Sequence, residues 1–105
     1  MPKKSMDILT ETMFYVLMAL NQKPMCGIDI AEAIEVRTHG RLLLGPATLY
    51  TILAKFEKEK YIQEILVEGR KRTYQITAKG ILAYRAEVER LEHCLQDAKG
   101  ANEDA

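Results

Sequence analysis

The chain has 105 residues, 15 basic and 15 acidic side chains, and a formal net charge of zero. That length holds one small domain with one appended element, marginal by itself and helped by dimerisation; with 48% hydrophobic residues it can build a small core. No apolar run reaches the roughly 18 residues of a membrane span; the longest, from Met13 to Leu20, has the length of a buried helix.

The start, MPKKSMDI, lacks an adjacent long apolar region with a small-residue cleavage site, so no signal peptide is expected. Cys26 and Cys94 lie far apart and form no CxxC, which fits a cytoplasmic protein with reduced thiols. The neutral total hides an asymmetry. Residues 1–40 carry −1, residues 41–80 carry +4 and residues 81–105 carry −3. The positive charge is thus gathered in the middle of the chain, where contact with a polyanion would need it.

Met1 to Met6 reads as a polar, frayed arm, with Lys3 and Lys4 in reach of a phosphate or simply solvated. Thr10 is a good N-cap, and a first helix runs to about Leu20. Met13, Phe14, Val16, Leu17 and Leu20 make it apolar on more than one side, so it is buried on two faces. It is either a plain core helix or one with a partner or ligand face at Phe14, Tyr15 and Met18. Asn21 to Pro24 is a turn, since proline restricts the residue before it. Gly27 opens a second helix with Ile28, Ile30, Ala31 and Ile34 as apolar positions and Asp29, Glu32 and Glu35 outward. Thr38-His39-Gly40 is its exit loop, and Leu42-Leu43-Leu44 reads as a short first strand.

Gly45-Pro46 starts the third helix, with glycine at the cap and proline at the first helical position, whose N–H would be unpaired anyway. Leu49, Ile52, Leu53 and Phe56 form its buried stripe, and Thr48, Tyr50, Thr51, Lys55 and Lys58 face outward. Tyr61-Ile62 ends it. Gln63 to Val67 is a strand, Glu68 to Lys71 a turn, and Arg72 to Ile76 the return strand. A polar-faced helix followed by a hairpin tipped with Arg70, Lys71 and Arg72 is the layout of a winged helix-turn-helix. The helix would enter the major groove of double-stranded DNA and the wing would hold the phosphate backbone.

Thr77 caps a final helix whose apolar positions Ile81, Tyr84, Val88, Leu91 and Leu95 step by three and four, a heptad seam. Such a helix folds back on its own core or buries the seam against a copy of itself, and the sustained spacing favours the copy. Lys99-Gly100 ends it. The expected fold is mainly α with a small β-hairpin: a winged-helix domain over residues 1–77, a dimerisation helix over 78–98 and a disordered tail over 99–105.

The stretches LTETMFYVLMAL, CGIDIAEAI, LGPATLYTILAKFEKEKYIQ and GRKRTYQITAKG resemble the PadR family of bacterial transcriptional regulators, over about residues 8–97. With one C-terminal helix the chain is similar to the short-tailed subgroup rather than to the phenolic-acid sensors with a larger C-terminal domain. The resemblance implies a dimeric repressor that binds a palindromic operator and leaves it on a stimulus. The last helix, with the first helix of the other subunit, would build the interface. It also implies DNA contacts from Thr48, Tyr50, Thr51 and Lys55 on the recognition helix and from Arg70, Lys71 and Arg72 on the wing. The chain departs from the family at Cys26-Gly27-Ile28, where a histidine-glycine-tyrosine is common. It departs again at Thr51, where proline often follows the leucine-tyrosine pair, and it lacks the tryptophan with which multidrug-sensing members stack flat ligands.

Catalysis has little to work with. His39 and His93 are isolated, and no Ser/His/Asp set or carboxylate pair stands out. His93 and Cys94 point different ways on a helix, so no metal site and no cofactor is expected. Either cysteine would need an activated, accessible thiolate to sense redox state, and a buried structural thiol is the simpler reading. The expected function is a homodimeric, cytoplasmic, winged-helix repressor, with an unidentified small-molecule effector acting between the first and last helices. The other reading is a winged helix that binds a protein partner and has no operator.

Overall fold

The computed structural model describes residues 9–104. They form α1 (Glu11–Gln22), β1 (Met25–Cys26), α2 (Gly27–Arg37), α3 (Pro46–Lys58), β2 (Ile62–Glu68), β3 (Lys71–Ile76) and α4 (Ala78–Asp104). The strands make an antiparallel sheet of order β1-β3-β2. The result is a winged helix-turn-helix, mainly α, with one C-terminal helix. The arm expected at Met1 to Met6, with Lys3 and Lys4, lies outside the described residues.

Caps define the helices. Thr10 begins α1, its Oγ1 accepting the Met13 N–H at 3.2 Å, which satisfies one of the donors left open in a first turn. Gly45 is the N-cap of α3 and Pro46 its first residue. Both α2 and α3 end in the same way. Gly40 N–H donates to the Glu35 carbonyl at 2.9 Å and Tyr61 N–H to the Phe56 carbonyl at 2.8 Å. The residues in between, His39 and Lys60, have φ of 53° and 63°. These are Schellman closures with a non-glycine residue in the left-handed position. Lys60 therefore stops α3 at Lys58, three residues before Tyr61-Ile62, and the Tyr61 ring packs 5.8 Å from that of Phe56.

The core lies where α1, α2 and α3 meet the sheet. Val16, Leu17 and Leu20 of α1, Ile30 and Ile34 of α2, and Leu49, Ile52, Leu53 and Phe56 of α3 are buried together with Ile62 and Tyr74. Two expectations fail here. Ile28 is 76% exposed rather than buried, because α2 is turned to put Ile30 and Ile34 inside and Ile28 lies roughly 200° round the helix from Ile30. Leu42-Leu43-Leu44 is not a strand. Leu42 and Leu44 dip into the core as loop anchors while Leu43 is 69% exposed. Leu42 N–H donates to Thr38 Oγ1, which itself donates to the Ile34 carbonyl. The third strand is instead Met25–Cys26, paired with Tyr74 and Thr73 of β3. Arg41 ties this loop to α1, donating to Glu11 Oε2 at 2.9 Å and to the Tyr15 hydroxyl at 3.1 Å.

α4 starts at a crowded corner. Thr77 Oγ1 lies 2.7 Å from the Lys60 carbonyl oxygen and 3.0 Å from that of Tyr61, and accepts the Gly80 N–H at 3.1 Å. Gly80 is buried there. Tyr84 then stacks on Phe14 of α1, with ring centroids 5.4 Å apart and planes at 20°. Glu87, 5% exposed, takes two hydrogen bonds from Arg90, at 3.0 and 2.6 Å, and this contact holds the Arg90 guanidinium above its usual range. The helix does not stop at Lys99-Gly100. It continues to Asp104, so the described part of the expected tail is helical. One glycine costs a helix about 1 kcal/mol, too little to end it between good helix formers such as Ala98, Lys99, Ala101 and Glu103.

Candidate nucleic-acid interface

α3 displays one face and hides the other. Leu49, Ile52, Leu53 and Phe56 are buried, while Ala47, Thr48, Tyr50, Thr51, Ala54, Lys55 and Lys58 are exposed. The hairpin of β2 and β3 stands beside it. Its two-residue turn places Gly69 at φ 64°, the conformation glycine adopts without steric cost. Arg70 follows in the turn, and Lys71 and Arg72 open β3, all three exposed. A bulge between Glu64 and Leu66 shifts the register of β2 against β3.

Between α3, the hairpin and the start of α2 runs a groove of about 770 Å³. Tyr50 lies on one wall, Arg70, Lys71 and Arg72 on another, and Gly27 and Ile28 at one end. Four of the seven expected contact residues thus line a single groove. Thr48, Thr51 and Lys55 do not line it; they occupy the neighbouring outward face of α3. Tyr50 leans towards α2. A side chain at Gly27 would begin 3.5 Å from the Tyr50 hydroxyl and 3.2 Å from Leu49 Cδ2, so glycine lets α2 and α3 approach. Tyr74 also lines it, and burial, aided by Glu57 and Glu64 against the opposing charge of Arg72, pushes its phenol up.

Two contacts change the roles of side chains in the set. Arg72 Nη1 is bonded to Glu64 Oε2 at 3.0 Å, so the cations on the hairpin are not equally free. Thr51 Oγ1 donates to the Ala47 carbonyl at 2.9 Å, so its hydroxyl proton is already used. Sequence reasoning missed both. It also missed Ala47 and Ala54, small residues that share the outward face with Thr51.

The three residues expected at an effector site share no single cleft. Tyr15 and Met18 line a cleft of about 780 Å³ between α1 and α2, beside Val36 and His39. Phe14 does not line it; its ring meets that of Tyr15 edge to face, with centroids 5.9 Å apart, and stacks on Tyr84. Along α4, Ile81, Tyr84 and Val88 are half-buried, whereas Leu91 and Leu95 are exposed, at 38% and 56%. His39 serves the α2 closure, and among the described residues no three His, Cys, Asp or Glu side chains are grouped to hold a metal. Cys26 is buried and Cys94 exposed, both as free thiols. No helix among the described residues is long and apolar enough to cross a membrane.

A family model described as "Transcriptional regulator PadR-like family" matches residues 16–86, from the middle of α1 into α4. The chain belongs to the PadR-like family of transcriptional regulators. Solved structures agree with that placement. A transcriptional regulator from Clostridium thermocellum is 28% identical with a TM-score of 0.76, over 84% of this chain and 89% of that one. A PadR family regulator from Clostridium difficile R20291 is 17% identical with a TM-score of 0.74, over 87% and 97%. A PadR-like regulator from Bacillus cereus is 18% identical with a TM-score of 0.72, over 86% and 89%. No curated protein sequence matches the chain. The PadR-like assignment makes it a transcriptional regulator.

Proposed function

We propose that the chain is a dimeric repressor that binds a palindromic DNA operator through α3 and the hairpin. The observation that carries this reading is the convergence of the exposed face of α3 with Arg70 and Lys71 on one side of the molecule. α3 supplies a helix for the major groove, and the hairpin supplies cations for a phosphate strand. Thr48, Tyr50, Thr51 and Lys55 face the DNA from the helix. α4 supports the dimer. Its 27 residues span about 40 Å, and from Leu91 onward nearly every side chain is exposed. A helix projecting this far gains most of its stability only when its apolar positions are covered. Ile81, Tyr84, Val88, Leu91 and Leu95 of two copies would do so. A small molecule lodging against α1 near Tyr15 and Met18 would move α1, on which Tyr84 rests, and so alter the spacing of the two recognition helices. Half-sites about 34–36 Å apart tolerate little change.

The test is a mobility shift with DNA from upstream of the coding region, against a scrambled competitor at two salt concentrations, with sedimentation to give the mass. Selective binding by a dimer, weakening steeply with salt, is the expected result. Equal competition by the scrambled duplex, together with a salt-insensitive protein partner, would replace this reading with that of an interaction module.

Glu64 gives a sharper expectation. Glu64→Gln releases Arg72 and removes a negative charge beside the phosphate strand. Binding at 0.1 M salt should tighten by about three- to tenfold, and the slope of log affinity on log salt should steepen by roughly 0.9 per protomer, the value for one added phosphate contact. An unchanged slope in a salt titration would mean that Arg72 does not reach DNA even when free.

A further inference from the structure

We propose that Thr51 reads thymine through its methyl group, and that its hydroxyl takes no part in base recognition. The inference rests on the DNA-binding reading above and concerns which group of α3 distinguishes one base pair from another.

Position comes first. With about 100° between successive residues, the buried stripe of Leu49, Ile52, Leu53 and Phe56 leaves Thr51 close to the direction pointing straight away from the core. Thr48 and Lys55 lie towards one flank. Tyr50 lies towards the other and leans to the start of α2. A helix laid in the major groove brings its outermost side chain nearest the base edges.

Chemistry comes second. A threonine hydroxyl has one proton to donate. Here it goes to the carbonyl of Ala47, one turn back, at 2.9 Å. The other branch at Cβ, the methyl, is what remains for the exposed side. Of its four neighbours one turn away, all exposed, Ala47 and Ala54 end in methyl groups while Thr48 and Lys55 are polar. No arginine, asparagine or glutamine occurs anywhere in α3; Lys55 and Lys58, one and two turns further along, are the α3 side chains able to make the usual guanine contact, and they leave the Thr51 position itself to an apolar one. The one apolar group that B-DNA shows on the floor of its major groove is the C5-methyl of thymine. A methyl-bearing side chain close to the crest of the helix matches that group; its hydroxyl, with the proton spent, keeps acceptor capacity alone, and removing the oxygen tests whether that is used.

Thr51→Val keeps the shape and the methyl and removes the hydroxyl. Thr51→Ser keeps the hydroxyl and removes the methyl. The wild-type full chain is used to enrich a duplex from a random-sequence pool. Each thymine of that duplex is then replaced in turn by deoxyuridine, which deletes only the C5-methyl. Circular dichroism and thermal midpoints establish that both variants fold. Thr51→Val should bind the enriched duplex within about twofold of wild type. Thr51→Ser should bind about fourfold more weakly per half-site, the factor for one buried methyl group, and so about fifteenfold for a dimer. One deoxyuridine position in each half-site should weaken the wild type by about fourfold and leave Thr51→Ser unaffected. A Thr51→Ser protein that binds like wild type, a Thr51→Val protein that loses as much as Thr51→Ser, or a duplex indifferent to every deoxyuridine overturns the proposal while leaving DNA binding intact. If the wild type enriches no duplex at all, the DNA-binding reading fails and the methyl contact fails with it.

Discussion

Gly80→Ala is expected to lower the thermal midpoint by about 15 °C. A Cβ at Gly80 would overlap the backbone carbonyl oxygen of Tyr61 and lie 2.8 Å from Cγ1 of Ile76. Neither neighbour can retreat. The Tyr61 carbonyl accepts the Thr77 N–H at 2.9 Å, and Ile76 packs against the core. Relief requires the first turn of α4 to lift off the sheet, breaking the Gly80 N–H to Thr77 Oγ1 bond at that corner. Overpacking against backbone costs about 3 kcal/mol, and each kcal/mol moves the midpoint of a domain near this size by about 4–8 °C. Gly100 is the internal control. It lies in the same helix with nothing within 4 Å of where its Cβ would be, so Gly100→Ala should raise the midpoint slightly through helix propensity, by up to about 1 kcal/mol. Thermal unfolding followed by circular dichroism separates the two. Equal midpoints for both variants would mean that α4 does not sit on Tyr61 as described.

Removing both free hairpin cations, Arg70→Ala with Lys71→Ala, should reduce operator affinity by three to four orders of magnitude at about 0.1 M salt. Both residues are exposed, and neither has an ion pair among those found in the described residues, so folding should be unchanged. The proposed dimer would lose four cations. With about 0.9 counterions released per phosphate contact, the slope of log affinity on log salt should fall by roughly 3.6, and extrapolation to 1 M salt should bring the variant and the wild type together. Anisotropy titrations between 50 and 300 mM salt, values within the usual working range, measure this directly. A slope equal to that of the wild type would remove the hairpin from the interface. Arg72→Ala should do less than either neighbour, because Arg72 is partly spent on Glu64.

Much of this architecture is legible in the sequence because it is local. Thr10 and Thr77 are caps, Gly45-Pro46 is a helix start, and Leu49, Ile52, Leu53 and Phe56 repeat at helical spacing; each carries its signal within a few residues. The errors lie where the deciding partner is distant. Met25–Cys26 is too short to show alternation, and only the distant β3 makes it a strand. Leu42-Leu43-Leu44 has strand composition, but Leu42 and Leu44 are used as loop anchors on the core, and Met25–Cys26 takes the place beside β3. Ile28 has the hydropathy of a core residue, yet the rotation of α2 is set by Ile30 and Ile34. In the candidate interface, residue types on α3 and the hairpin could be read, but not how they are already engaged. Thr51 facing back to Ala47, and Arg72 reaching Glu64 across a bulged hairpin, are matters of side-chain geometry that composition does not encode. That Phe14 stacks on Tyr84 rather than lining the cleft of Tyr15 and Met18 depends on where α4 lies.

The closures at His39 and Lys60 bear on how this protein can change over generations. Both corners flank α3, and in both an ordinary L-residue holds a geometry that glycine adopts freely. Each forgoes about 1 kcal/mol of stability that a single substitution to glycine would release. Against a typical stability of about 5–15 kcal/mol, that is a reserve sufficient to absorb a moderately harmful change on the exposed face of α3. Altered operator preference and its compensation can therefore arise within the same short stretch of chain, without disturbing the core that α1 and α2 share with it.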